Sequence, residues 1–180
     1  HSFPTRRSSD LQFTMFVPFD SLPDTARIWI YQADRKLGKE EVEKISMTAS
    51  AFCEQWTAHG HLLKSSFKID HQQFFILAVD EASAGASGCS IDGSVRMLKQ
   101  LESELGIDFF NRTKIAFLIE NEVVLVSTSD LKKAFAEGIL SAASSTFNSL
   151  VATKGELGKG WIIPAEKSWL SKYLPKSAVA

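Results

Sequence analysis

The side chains best suited to chemistry gather in one stretch of this sequence, residues 80–92. Carboxylates can transfer protons, hydroxyls can bind ligands, and a thiolate is a strong nucleophile. All three kinds of group occur here within thirteen positions, so we expect a functional site in this stretch. Its candidate binding residues are Asp80, Glu81, Ser87, Gly88, Ser90 and Asp92, and its candidate catalytic residue is Cys89.

Two regular elements would position these side chains. The apolar run 73–79 predicts a buried strand that ends at Asp80, and apolar residues at helical spacing predict a helix over 90–105 with Ser90 as its cap. A helix N-terminus carries free N–H groups and a partial positive charge, so it attracts anions and favours a thiolate. Cys89 is therefore either a reactive, ligand-contacting thiol or a small buried hydrophobic residue, as free cysteines often are.

The segment FILAVDE, which ends at Glu81, is similar to a Walker B strand, whose acidic residues hold magnesium and orient water. Nucleotide hydrolysis also needs a phosphate-binding G-x-x-x-x-G-K-[ST] loop, and no such motif occurs in the sequence. The spacing of Cys53, His59 and His61 does not match a zinc site, so we expect no metal and no cofactor.

Apolar periodicity predicts strands at 26–33, 65–70, 73–79, 114–119 and 122–126, with helices at 40–56, 90–105 and 130–137. The first six elements match the ferredoxin-like (split βαβ) arrangement of an α+β domain. Its antiparallel sheet would have the first and third strands at its centre and helices on one face. A C-terminal helical extension or a partner subunit would cover the other face. A three-layer α/β fold is the alternative.

Composition excludes several classes of partner. The chain of 180 residues has a formal net charge of −1, and its lysines are scattered among acids, so we expect no nucleic acid. Its longest apolar run is far shorter than the roughly 20 residues of a membrane span. Two cysteines do not make a disulfide framework, so we expect a cytoplasmic protein. An apolar sheet face also leaves room for a homodimer.

The first eleven residues, HSFPTRRSSDL, match the translation of a common sequencing adapter. We therefore expect residues 1–14 to be an artefactual or disordered segment and residues 15–175 to form a single α+β domain. Without Arg6, Arg7 and Asp10 the formal net charge would change from −1 to −2.

Four segments resemble a family of short bacterial proteins that commonly carry the name ABC transporter ATPase. They are VPFDSLPDTARIWIYQADRKL, AFCEQWTAHG, FILAVDEASAGASGCSIDGSVR and FNSLVATK with WIIPAEKSWL. The resemblance covers nearly everything after Met15 and implies a nucleotide-binding protein associated with a transporter. The residues themselves favour a module that binds a partner or a small anion at 80–92, or else a thiol-dependent enzyme that uses Cys89.

Overall fold

The computed structural model describes residues 15–176, so the N-terminal segment 1–14 lies outside the described residues. The described residues form four α-helices and nine strands joined by short turns and 3-10 helices. In chain order these are β1 (Arg27–Gln32), α1 (Lys39–Gln55), β2 (Thr57–Ala58), β3 (His61–Leu62), β4 (Lys64–Asp70), β5 (Phe74–Asp80), α2 (Gly88–Leu105), β6 (Lys114–Ile119), β7 (Glu122–Ser127), α3 (Leu131–Ala136), β8 (Ser145–Phe147), α4 (Lys154–Gly160) and β9 (Ile162–Pro164).

The first sheet is antiparallel and has the strand order β1–β5–β4. The central strand β5 is buried from Phe74 to Val79, which confirms the prediction of a central third strand. Among the described residues, the only strand of this sheet that pairs with β1 is β5, so β1 lies at the edge. The prediction that β1 is also central is therefore wrong. Its apolar residues still pack on both faces, with Ile28 and Trp29 in different clusters.

The two faces of β5 pack against different layers because side chains alternate along a strand. Phe75, Leu77 and Val79 contact a cluster that includes residues of both long helices. Phe74, Ile76 and Ala78 instead contact residues of β6 and β8. Helices α1 and α2 therefore cover one face of the first sheet, and a second sheet covers the other.

The second sheet is also antiparallel and has the order β7–β6–β8–β9. Ala116 of β6 packs toward the first sheet, whereas Phe117 packs against α3 and the C-terminal 3-10 helix Trp169–Tyr173. The result is an α+β arrangement of four successive layers, with helices outside two facing sheets.

The ferredoxin-like arrangement is not confirmed. It needs Lys114–Ile119 beside β1, but this strand pairs with β7 and β8 in the second sheet. The strands expected at 114–119 and 122–126 are confirmed as β6 and β7, and they form a hairpin with Glu120 and Asn121 at its turn. The C-terminal extension was expected to be helical, but it contains the strands β8 and β9 as well as α4 and 3-10 turns. None of the helices within residues 15–176 has the length and apolar character needed to cross a membrane.

Candidate functional site

The loop between β5 and α2 is held by the two carboxylates that end the strand. Asp80 Oδ1 accepts a hydrogen bond from the Ala82 N–H at 3.0 Å, and Glu81 Oε2 accepts one from the Ala86 N–H at 2.9 Å. Each bond satisfies a backbone donor that the loop would otherwise leave without a partner. Asp80 and Glu81 therefore shape the approach to α2.

Both carboxylates also face a cation across the strands. Lys64, which is paired in register with Asp80, places its Nζ 3.8 Å from Asp80 Oδ2. Arg27 Nη1 lies 3.9 Å from Glu81 Oε2. These partly exposed pairs are long and contribute little stability, yet they reduce the negative charge that the loop presents.

The N-cap of helix α2 lies three residues earlier than the sequence indicated, at Ser87 and not at Ser90. The Ser90 N–H donates to Ser87 Oγ at 3.1 Å, and the Ser87 N–H donates to Ser90 Oγ at 2.7 Å. This reciprocal pair is a capping box, and the three-residue spacing of the two serines was its signal in the sequence. Cys89 therefore lies in the first turn of the helix.

An aromatic contact joins the end of α1 to the start of α2. The buried Trp56 donates its indole N–H to the backbone oxygen of Ser90 at 2.8 Å. The Phe52 ring packs against the Trp56 ring with centroids 5.0 Å apart. This hydrogen bond and this ring contact hold the end of α1 and the start of α2 together. A depression of the surface lies between the two helix ends.

That depression is an open cleft of about 470 Å³. Three of the predicted site residues, Ser87, Cys89 and Ser90, line it, while Asp80, Glu81, Gly88 and Asp92 are not among its lining residues. The structure therefore divides the predicted site into a cleft and a separate loop scaffold. The lining residues are Ala51, Phe52, Gln55, Trp56, Thr57, Ala58, His59, Ser87, Cys89, Ser90, Gly93 and Arg96.

Sequence reasoning missed two cleft residues with chemically useful side chains, His59 and Arg96. His59 occupies the turn between β2 and β3, where His59 and Gly60 have φ values of 52° and 80°. Arg96 lies two turns into α2 and has no ion pair or hydrogen bond with any residue in 15–176. No carboxylate occurs among the described residues that line the cleft, so its charged groups favour an anion.

The two cysteines differ in exposure. Cys53 is fully buried inside α1, and burial raises the pKa of its thiol to about 12. Cys89 is exposed at the cleft. Of the two interpretations of Cys89, the structure thus supports an accessible thiol over a buried hydrophobic residue.

Among residues 15–176 there is no group of three His, Cys, Asp or Glu side chains that could hold a metal ion. Comparisons with protein-family models, with curated proteins and with solved structures found no match for this chain. The site must therefore be interpreted from its own geometry.

Proposed function

We propose that this protein is a binding module whose cleft between α1 and α2 holds a small anionic molecule. The observation that carries this proposal is Arg96, a guanidinium that lines the cleft without a protein partner in the described chain. Guanidinium groups bind carboxylates and phosphates through two parallel N–H···O bonds. An Arg that makes no such bond to the protein is available to make it to a ligand.

Two further features of the cleft support an anion. His59 lines the same cleft, and a histidine can contribute a hydrogen-bond donor to an anion. The capping box uses the Ser90 N–H, and the N–H of Cys89, which lines the cleft, has no acceptor among residues 15–176. This donor and the helix dipole add to the field of Arg96.

Calorimetric titration with phenyl phosphate at constant ionic strength tests this proposal. We expect saturable binding that is weakened at least tenfold by Arg96→Gln, because removing a charge-assisted pair costs about 1.5–3 kcal/mol. Lys99→Gln is the matched control, since Lys99 is an exposed cation on the same helix that pairs with Glu102 and does not line the cleft. Equal losses in both variants would indicate a general charge effect and would contradict the proposal.

A second candidate, a thiol-dependent enzyme, is favoured by one observation: Cys89 and His59 line the same cleft. A histidine that removes the thiol proton would make Cys89 a better nucleophile. The test is the alkylation rate of Cys89 with iodoacetamide in a Cys53→Ala background. An enzyme-like pair predicts that His59→Gln slows labelling at least tenfold, whereas an unchanged rate leaves the binding module as the better account.

A further inference from the structure

Gly93 is an unexpected residue inside a long helix. It is the sixth of the 18 residues of α2, and it lines the cleft. Glycine destabilises a helix interior relative to alanine, because the unfolded chain loses more freedom when glycine is ordered. A glycine at such a position is explained when the neighbours leave no room for a Cβ atom.

The neighbours of Gly93 do leave that room. A Cβ atom built on Gly93 would lie 3.6 Å from Arg96 Nη2 and 3.9 Å from Phe52 Cε1, which are ordinary van der Waals contacts. Alanine would therefore fit without displacing either side chain. The bare Cα instead leaves a space between the ring of Phe52 and the guanidinium of Arg96, and that space belongs to the cleft.

The two groups beside this space share one chemical preference. Aromatic rings such as that of Phe52 prefer to pack against other rings offset-stacked or edge to face, and guanidinium groups such as that of Arg96 are planar and stack well on aromatic faces. The guanidinium also binds anions. A flat aromatic group that lies over the Gly93 backbone could contact both side chains. An anionic group attached to that ring could bind the Arg96 guanidinium.

We propose that the ligand of this cleft is an aromatic ring that bears a phosphate or carboxylate group, with its ring over Gly93 between Phe52 and Arg96. This inference rests on the proposed anion-binding function and specifies its ligand class. The Cα of Gly93 is then the surface against which the ring lies. Any side chain at this position would occupy the volume of the ring.

The first test compares phenyl phosphate with cyclohexyl phosphate, which carries the same anion on a ring that is not flat. We expect the aromatic compound to bind at least tenfold more tightly, and benzoate to distinguish a preference for carboxylate from one for phosphate. Equal affinities for the two phosphates would overturn the inference and leave anion binding intact. No binding of any of the three compounds would overturn both proposals.

The second test uses Gly93→Ala and measures stability and affinity together. Replacing glycine in a helix interior should raise the melting temperature by about 1–4 °C for a chain of this size. The same methyl group should weaken phenyl phosphate binding at least tenfold. Gly158→Ala is the matched control, because Gly158 lies in α4 with open space around its Cα and does not line the cleft. Wild-type affinity in Gly93→Ala would overturn the inference.

Discussion

The indole N–H of Trp56 donates a 2.8 Å hydrogen bond to the backbone oxygen of Ser90, joining the last turn of one long helix to the first turn of the next. The two residues are 34 positions apart in the sequence. Both line the cleft, so this bond helps to define its shape. The packing that holds Trp56 in place therefore also holds the beginning of α2, where the candidate site lies.

Trp56→Phe should therefore destabilise the fold by about 1–3 kcal/mol, since it removes a buried hydrogen bond and part of a packed ring. The measurement is the midpoint of urea unfolding. Trp169→Phe is the control, because Trp169 is 40% exposed and should tolerate the change within about 0.5 kcal/mol. Equal destabilisation by the two substitutions would show that the Trp56–Ser90 hydrogen bond makes no measurable contribution to stability.

Ser87→Ala removes the side chain that caps α2. We expect a loss of about 0.5–2 kcal/mol in the free energy of unfolding, the usual cost of losing an N-cap. Ser83→Ala, in the exposed loop before the helix, should change stability by less than about 0.5 kcal/mol. An unchanged unfolding midpoint in Ser87→Ala would contradict a stabilising role of the Ser87 cap.

Alkylation should separate the two cysteines. In the folded protein iodoacetamide should modify Cys89, which is exposed, and leave Cys53 unmodified, because Cys53 is buried and its thiol pKa is raised to about 12. Peptide mass spectrometry before and after unfolding in guanidinium chloride measures both sites. Cys53 should react after unfolding, and its modification in the native protein would contradict the packing of α1.

Glu41 should make stability depend on pH in the acid range. Its carboxylate binds the Arg35 guanidinium at 2.6 and 2.8 Å and accepts the Gly38 N–H at 2.8 Å, and these bonds lower its pKa from 4.5 to about 2. Because the folded-state pKa is below the unfolded value, the carboxylate stabilises the fold above about pH 4.5, and this contribution is lost as the pH falls toward 2.

The check is the melting temperature of wild-type protein and of Glu41→Gln from pH 7 to pH 2. The wild type should melt at the higher temperature at pH 7, and the difference should shrink below pH 4.5. Glu43→Gln, an exposed acid in the same helix for which the structure shows no ion pair within residues 15–176, is the control. A difference that stays constant across this range would contradict the assignment.

The elements predicted best are those whose apolar pattern is long. The stripe of α1, the stripe of α2 and the continuous run of β5 each extend over at least two helical turns or six strand residues, which is enough to define a period. The hairpin of β6 and β7 was also readable, because two apolar strands flank a two-residue turn. Local pattern therefore predicted the layer of helices and the strand beneath it.

Pattern could not predict which sheet a strand joins. Lys114–Ile119 is apolar on both faces, and that pattern suits the ferredoxin-like position as well as the middle of a second sheet. Strands β8 and β9 have three residues each and β2 and β3 have two, which is too short to show alternation. These short strands complete the second sheet and bring His59 to the cleft.

The candidate site was predicted only in part, because a local sequence pattern does not show which distant segments pack together. Ser87, Cys89 and Ser90 are neighbours in the chain, so their shared position at the start of a helix was readable. His59 reaches the cleft only because the β2–β3 turn packs beside α2. The sequence signal for that turn was the His59–Gly60 pair, whose left-handed φ values suit a two-residue hairpin.

The measurement that tests the central claim most directly is a ¹⁵N–¹H correlation spectrum of the protein titrated with phenyl phosphate. If the cleft is the binding site, the amide signals of Cys89, Ser90 and Gly93 should shift together and saturate with one dissociation constant. In Arg96→Gln these shifts should require at least tenfold more ligand, and in Lys99→Gln the dissociation constant should be unchanged. Saturable shifts confined to another surface, or no shifts at millimolar ligand, would contradict the assignment of the cleft as an anion-binding site.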